Sequence, residues 1–170
     1  MRGFSLTLAH RGGGRVWKTA GVSAPDLTTR AATSGDVDAV LAFWERAAEN
    51  ADRPTDSPDA VTRLIARDPD ALLLVLDGEQ IIGSLIVGWD GWRSHLYRLA
   101  VDPDRRRLGI GRALLDAAEQ SLTAAGAGRI DAMVLESNQP ARELWSRAGY
   151  TRQSNWARWV KPIARRVSGA

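Results

Sequence analysis

A chain of 170 residues, 44% of them hydrophobic, is long enough for one domain with a substantial core and too short for two. It has no cysteine and two histidines, His10 and His95, which excludes disulfides, thiolate nucleophiles and a histidine-cluster metal site. The net charge is +3, but residues 1–25 hold four basic and no acidic residues, so the remainder carries −1. Such a balance favours a small anionic ligand over nucleic acid.

The first 26 residues have no steady hydrophobic period and include a glycine-rich stretch at 11–15. We expect a flexible extension at 1–26, a folded domain at 27–163 and a short tail at 164–170. No apolar run approaches the roughly 18 residues that a membrane span needs, so we expect a cytoplasmic protein without membrane contacts.

The domain is predicted to begin with a strand at 27–32 and a helix that starts near 33–36. Apolar residues at helical spacing in that helix are Val37, Val40, Leu41 and Trp44. An acidic loop follows, and Ser57-Pro58 is typical of a cap and first turn for a second helix, which runs to about 67.

Strands are predicted at 71–76, 81–89 and 94–101, with turns between them. A helix from 110 to about 125, a strand at 130–135, a short helix at 139–147 and a last strand at 156–161 complete the series. Because a strand, a helix and a strand follow one another at 94–135, we expect a right-handed parallel crossover within a mixed sheet.

The loop between the strand 94–101 and the following helix carries two glycines, Gly109 and Gly111, and four arginines, Arg105, Arg106, Arg107 and Arg112. Glycines at a helix start allow close approach of an anion to unpaired N–H groups, and guanidinium groups match phosphate oxygens. A solvated basic turn is the alternative interpretation. The spacing matches neither the Rossmann fingerprint, whose third glycine is replaced by Leu114, nor a P-loop.

Several motifs in order give the chain a clear resemblance to the GNAT superfamily of acetyl-CoA-dependent N-acetyltransferases, over about 28–161. They are Leu99-Ala100-Val101-Asp102-Pro103, the loop Arg106-Arg107-Leu108-Gly109-Ile110-Gly111, Ala113-Leu114-Leu115, and Asn138-x-x-Ala141-x-x-Leu144-Trp145-x-x-x-Gly149-Tyr150. The resemblance implies an α/β fold: a mixed, mostly antiparallel twisted sheet of six to seven strands with a splayed central pair, flanked by about four helices.

The resemblance also implies that acetyl-CoA is the co-substrate, with pantetheine lying between strands 94–101 and 130–136, and that no metal is needed. The implied cofactor-binding residues are Leu99, Ala100, Val101, Arg106, Arg107, Leu108, Gly109, Ile110, Gly111, Arg112 and Asn138.

Proton transfer is where the chain departs from its relatives. GNAT members often have a tyrosine at the position of Trp145, and some have a glutamate at that of Met133; indole and thioether supply neither acid nor base. The remaining candidates for the catalytic proton acceptor are Glu136, Tyr97 and His95. Tyr97, Trp89 and Trp92 are expected to shape an acceptor pocket or to pack in the core.

The leading hypothesis is transfer of an acetyl group from acetyl-CoA to a primary amine of a small molecule or peptide, by direct attack in a ternary complex. A catalytically weak or silent acyl-CoA-binding regulatory module is the alternative, and a nucleic-acid binder using 105–107 ranks below both. We expect a monomer or homodimer without nucleic acid partners.

Overall fold

The computed structural model describes residues 5–11, 14–20, 27–47, 55–161 and 163. Its single sheet has seven strands, which lie side by side in chain order. They are β1 (Ser5–Arg11), β2 (Gly14–Ala20), β3 (Leu27–Ala31), β4 (Leu72–Asp77), β5 (Gln80–Trp89), β6 (Ser94–Val101) and β7 (Ile130–Ala132). Every neighbouring pair is antiparallel except β6 and β7, which are parallel. The predicted mixed, mostly antiparallel sheet is therefore confirmed.

The N-terminal segment contributes two strands to the sheet, where the sequence pattern predicted none. Residues 5–11 and 14–20 form the antiparallel pair β1–β2, and β2 pairs with β3 in a register that places Trp17 opposite Thr29. The boundaries 1–26, 27–163 and 164–170 remain a prediction. Without β2, one edge of β3 would present unpaired N–H and C=O groups, and pairing satisfies them. The expected tail at 164–170 lies outside the described residues.

The strand count is a correction, because the described residues between 27 and 163 form five strands and not six or seven. The predicted strand at 156–161 is not formed: these residues are exposed and take part in no strand pairing. In addition, β7 ends at Ala132 rather than near 135. An apolar, alternating segment becomes a strand only where a sheet edge receives it, and residues 156–161 lie against none.

The described part of the chain forms the four predicted α-helices: α1 (Val37–Ala47), α2 (Pro58–Arg67), α3 (Ile110–Ala124) and α4 (Gln139–Arg147). The Ser57 side chain caps α2 by accepting the Ala60 N–H at 3.2 Å. The Asn138 side chain caps α4 in the same way from the Ala141 N–H, at 3.0 Å. No helix in the described ranges is long and apolar enough to cross a membrane.

The sheet separates two hydrophobic clusters. One lies between the sheet and α3, where Leu85, Leu96 and Leu114 are fully buried, and it includes Trp145 of α4. The other lies beneath α1 and α2, around Val40, Phe43 and Trp44 of α1. One face of β6 therefore packs toward α3 and α4, and the other toward α1 and α2.

A β-bulge interrupts β6 in its second half. Ile86 pairs with Tyr97 and Ser84 with Ala100, so Leu85 alone faces both Arg98 and Leu99. Arg98 has φ +60°, a left-handed conformation that a non-glycine residue adopts at a cost of about 1–3 kcal/mol. The extra residue also shifts the alternation: Leu96, Leu99 and Val101 belong to the α3 cluster, and Ala100 to the α1–α2 cluster.

Candidate active site

The parallel pair β6–β7 is hydrogen-bonded only at its start. Three residue pairs form, ending with Leu96 and Ala132, while β6 continues for five residues to Val101. Across the described chain from 133 to 136 there is no ladder to residues 97–101. Backbone groups of this part of β6 are therefore left without a strand partner on one side, as the predicted splay requires. Met133 and Leu135, in the segment opposite, are exposed.

The loop that follows β6 is fixed at its first residue. Asp102 is buried, its N–H donates to the Ile82 carbonyl at 2.9 Å, and its carboxylate accepts from Arg46 of α1 at 3.0 Å. Burial pushes the pKa of Asp102 upward, but the hydrogen bonds from Arg46 and from the Asp104 N–H outweigh it, so the pKa is lowered. An ionised Asp102 therefore ties the loop to both the sheet and α1.

The loop then turns into α3 through two left-handed residues, Arg107 (φ +65°) and Gly109 (φ +82°). Gly109 is the cap residue of α3, with no side-chain cap and no acidic residue in the first turn. The bond from the Ala113 N–H to the Gly109 carbonyl, at 2.9 Å, is the first of the helix. The amides before Ala113 have no intrahelical acceptor, and with the helix dipole they favour an anion.

Two glycines allow this helix start to lie close to its neighbours. A Cβ at Gly83 of β5 would be 2.6 Å from Ile110 Cγ2, so only glycine lets α3 approach the sheet here. A Cβ at Gly111 would be 2.8 Å from Leu144 Cδ2, so this buried glycine serves the contact between α3 and α4. Sequence reasoning assigned Gly111 to the anion site and missed Gly83, whose role depends on a contact between distant segments.

The four arginines of the loop do not all face its opening. Arg105 is paired with Asp77 of β4 at 3.0 Å, and Arg112 with Asp116 at 2.7 Å, which raises the pKa of Arg112. Arg106 and Arg107 are exposed, and Arg107 has no ion-pair partner among the residues described. Arg105 and Arg112 are thus held by carboxylates.

The remaining predicted cofactor residues take varied places. Leu99 and Val101 pack partly against the α3 cluster, whereas Ala100 is buried on the α1–α2 side. Ile110 is buried beneath the loop, and Leu108 is 59% exposed beside the helix start. Asn138 is occupied at its Oδ1 by the cap of α4.

The three proton-transfer candidates differ in environment. His95 and Tyr97 project from the same side of β6, with ring centroids 5.8 Å apart. Burial raises the pKa of Tyr97, so its hydroxyl stays protonated at neutral pH. Glu136 is exposed and accepts a hydrogen bond from Arg152 at 2.8 Å. No group of three or more His, Asp or Glu side chains that could hold a metal occurs in the described part of the chain.

Trp145, at the position of the missing tyrosine, is a core residue. It is 6% exposed and meets the Tyr150 ring edge-on, with centroids 4.8 Å apart. The Tyr150 hydroxyl is buried, and burial raises its pKa. Both aromatic rings therefore stabilise the contact between α3 and α4.

A cavity of about 500 Å³ opens at the other end of β6. Its lining includes Trp89, Trp92, Ser94 and Arg129. Ser94 begins β6, whereas the arginine–glycine loop follows its last residue, and eight residues of strand span about 25 Å. Trp89 and Trp92 therefore line a cavity at the opposite end of β6 from that loop.

Comparison with known proteins identifies the family. Residues 38–150 match the model of the acetyltransferase (GNAT) family, which is well over half of the chain. The chain belongs to this family. It is an N-acetyltransferase, as predicted. An acetyltransferase of Pectobacterium atrosepticum is 35% identical over 116 residues, covering 68% of this chain and 81% of that protein.

Solved structures with the same fold include two N-acetyltransferases. The ribosomal-protein-S18-alanine N-acetyltransferase from Escherichia coli has a TM-score of 0.62 and 22% identity, over 75% of this chain and 79% of that one. The PaiA N-acetyltransferase from Thermoplasma acidophilum, in complex with coenzyme A, has a TM-score of 0.68 and 16% identity, over 75% and 91%. At these identities the likeness establishes the fold.

Proposed function

We propose that the chain transfers an acetyl group from acetyl-CoA to a primary amine of a small molecule or peptide, by direct attack in a ternary complex. The observation that carries the proposal is the uncapped start of α3, which lies directly after the part of β6 that has no β7 partner. The domain that does this spans 27–163.

The start of α3 fits the pyrophosphate of acetyl-CoA. The left-handed Gly109 exposes the backbone, and the free amides up to Arg112 supply donors for a dianion without a competing acidic side chain. Arg106 and Arg107 add positive charge at the loop surface. Support for coenzyme A as the ligand comes from the structural neighbour that is in complex with it.

The unpaired side of β6 fits the pantetheine arm. An extended amide-bearing chain laid beside Leu99 and Val101 would replace the missing strand, accepting and donating backbone hydrogen bonds. Acetyl-CoA bound in this way presents its thioester near the bulge at Arg98 and Leu99. A bulge leaves one backbone N–H outside the ladder, and such a donor stabilises the oxyanion formed when the amine attacks.

Two proton transfers complete the reaction. The ammonium form of the acceptor must lose a proton before it attacks, and the leaving thiolate must be neutralised or released. Because burial raises its pKa, the Tyr97 hydroxyl stays protonated at neutral pH, so it can donate a hydrogen bond to the leaving thiolate but is not the proton acceptor. Glu136 and His95 are proposed as proton acceptors, directly or through water.

A panel of amines tests the proposal: polyamines, amino acids, aminoglycosides and peptides with free N-termini. Purified protein is mixed with acetyl-CoA and each amine, thiol release is followed, and the acetylated product is identified by mass spectrometry. We expect saturable acetyl-CoA binding and turnover with at least one amine. Binding without turnover on the whole panel would favour the silent acyl-CoA-binding module; absence of binding would remove the site assignment itself.

A further inference from the structure

The structure assigns Arg98 as a positioning residue for acetyl transfer, one that holds the segment before α2 against the bulge of β6. This inference rests on the proposed function, since the bulge is the proposed oxyanion site. Neither Arg98 nor its partners stand out in the sequence, because Trp44, Asp56, Ser84 and Arg98 come from four separate elements or loops.

The guanidinium group of Arg98 has two partners on the α1–α2 side of the sheet. It forms an ion pair with Asp56, and the two side chains are only 15% and 22% exposed. Its Cζ atom also lies 4.3 Å from the centroid of the buried Trp44 ring. Partly desolvated charges with this geometry interact more strongly than surface pairs, and the flat guanidinium is suited to stacking on indole.

The backbone of Arg98 is held by the same tryptophan. Trp44 Nε1 donates to the buried Ser84 Oγ at 2.8 Å, and that hydroxyl lies 3.5 Å from the Arg98 carbonyl oxygen. Trp44 therefore contacts one end of Arg98 through its ring face and the other through Ser84. A left-handed arginine persists only where its surroundings determine it, and these contacts do so.

The two ends of this network belong to different parts of the proposed site. Asp56 immediately precedes Ser57, the cap of α2, and belongs to the connection between α1 and α2. Arg98 begins the bulge beside which we propose that the thioester lies. Holding one against the other fixes the position of residues 55–57 relative to the bulge, and with it the position of the bulge relative to the reacting carbonyl.

The cofactor loop is held by other contacts, those of Asp102 with Arg46 and of Arg105 with Asp77. Loss of the Arg98 guanidinium should therefore impair acetyl transfer far more than it weakens coenzyme A binding. A misplacement of about 1 Å away from the reacting atoms can cost on the order of 10²-fold in rate.

The experiment compares Arg98→Met, Asp56→Asn and the double variant, with Arg147→Met as a matched control. Arg147 also has an acidic partner, Glu143, but is 82% exposed. We expect kcat/KM for the amine to fall about 10²-fold in each single variant and no further in the double variant. The Kd of coenzyme A, measured by calorimetry, should rise much less than this, by about 5-fold at most. Additive losses, or an equal loss of coenzyme A binding, would overturn the inference.

Hydrogen exchange separates this inference from the proposed function, because it needs no acceptor. Arg98→Met should speed exchange in peptides covering 55–67 and 94–101, while Arg147→Met should not. If the parent protein acetylates no amine but this coupled loosening is seen, the proposed function fails and the contact between the two segments stands. Unchanged exchange in both peptides refutes the inference whatever the activity.

Arg98→Lys keeps the charge for Asp56 and should recover part of the activity; no recovery at all would contradict the ion-pair role. If Arg98→Met does not fold, Asp56→Asn and Arg98→Lys carry the same tests.

Discussion

Two parts of the proposed site on β6 are built in different ways: the cofactor side, which is the loop and helix start after Val101, and the acceptor side, which is the bulge at Arg98. On the cofactor side, residues 101–112 supply the strand end, the turn and the helix start within one short stretch, and backbone amides make up most of the anion site. On the acceptor side, the bulge is held by side chains at positions 44, 56, 84 and 98, which meet only in the folded protein. A backbone site can be identified as a local motif, whereas a side-chain network cannot.

Under the proposed function, this difference would let acceptor specificity vary independently of cofactor binding. The proposed anion site needs a glycine turn, an uncapped helix start and close packing of that helix on the sheet. Few residue types meet these requirements at each position. The acceptor side needs complementary shapes and charges, for which many residue combinations suffice. We therefore expect variants on the two sides to affect different measurable quantities.

The largest effect is expected from Gly83→Val, beneath the cofactor side. Even a Cβ here would lie 2.6 Å from Ile110 Cγ2, so α3 must move off the sheet. Overpacking of this kind costs about 3 kcal/mol, which lowers the Tm by roughly 6–12 °C for a domain of this size. Thermal unfolding followed by circular dichroism measures it. Gly128→Ala is the control, because no atom lies within 4 Å of its Cβ position; a Tm unchanged in Gly83→Val would contradict the close approach.

A selective loss of coenzyme A binding is expected from Leu108→Glu. Leu108 is 59% exposed next to the uncapped helix start, so a carboxylate there adds repulsion without disturbing the core. Like-charge juxtaposition costs several kcal/mol, so we expect the Kd of coenzyme A to rise about 10²-fold. Calorimetry measures the Kd. The uncharged control Leu108→Gln should change the Kd of coenzyme A by less than about 3-fold. Equal Kd values for the two variants would place the pyrophosphate elsewhere.

The smallest effect concerns pH and the junction between β3 and α1. The Asp36 carboxylate accepts one hydrogen bond from the Arg30 side chain and one from the Thr33 N–H, each at 2.7 Å. These bonds lower the pKa of Asp36 to about 2, although burial opposes them. Since the folded pKa lies below the unfolded one, this stabilisation is present above about pH 4 and is lost as the pH falls toward 2.

Asp36→Asn should therefore cost about 1 kcal/mol at pH 7, after allowance for solvent screening of a partly exposed pair, and close to nothing near pH 2. Urea unfolding at both pH values measures the difference. The exposed pair Arg129–Asp131 provides the control through Asp131→Asn, for which little change is expected at either pH. If Asp36→Asn lowered the free energy of unfolding equally at both pH values, the Asp36 hydrogen bonds would stabilise the protein independently of the charge.

Helices could be predicted well because their signals are local. Helix α1 was predicted from the spacing of Val37, Val40 and Trp44, which are buried in the structure. Helix α2 was predicted from Ser57-Pro58, and Ser57 caps it in the structure. Strands at the sheet edges were predicted poorly. Residues 5–11 and 14–20 are strands because they pair with each other and with β3, and 156–161 are not because they pair with nothing in the described chain.

The candidate site was predicted in part for the same reason. Gly109 and the loop around it were found from their spacing, and the fold places them at the start of an uncapped helix. Two of the four loop arginines are held instead by Asp77 and Asp116, acids on other turns or strands. Trp145 could be recognised as lacking an acid, but only its burial against Tyr150 shows that it is a packing residue.

By itself the sequence determined the family, the four helices, the central strands and the glycine turn that begins α3, because the signals for each lie in short stretches of neighbouring residues. Only the tertiary structure decided the bulge at Arg98, the need for glycine at position 83 and the course of the N-terminal strands. These features depend on which distant segments meet, and the free energy that selects them comes from burial and pairing across the sheet.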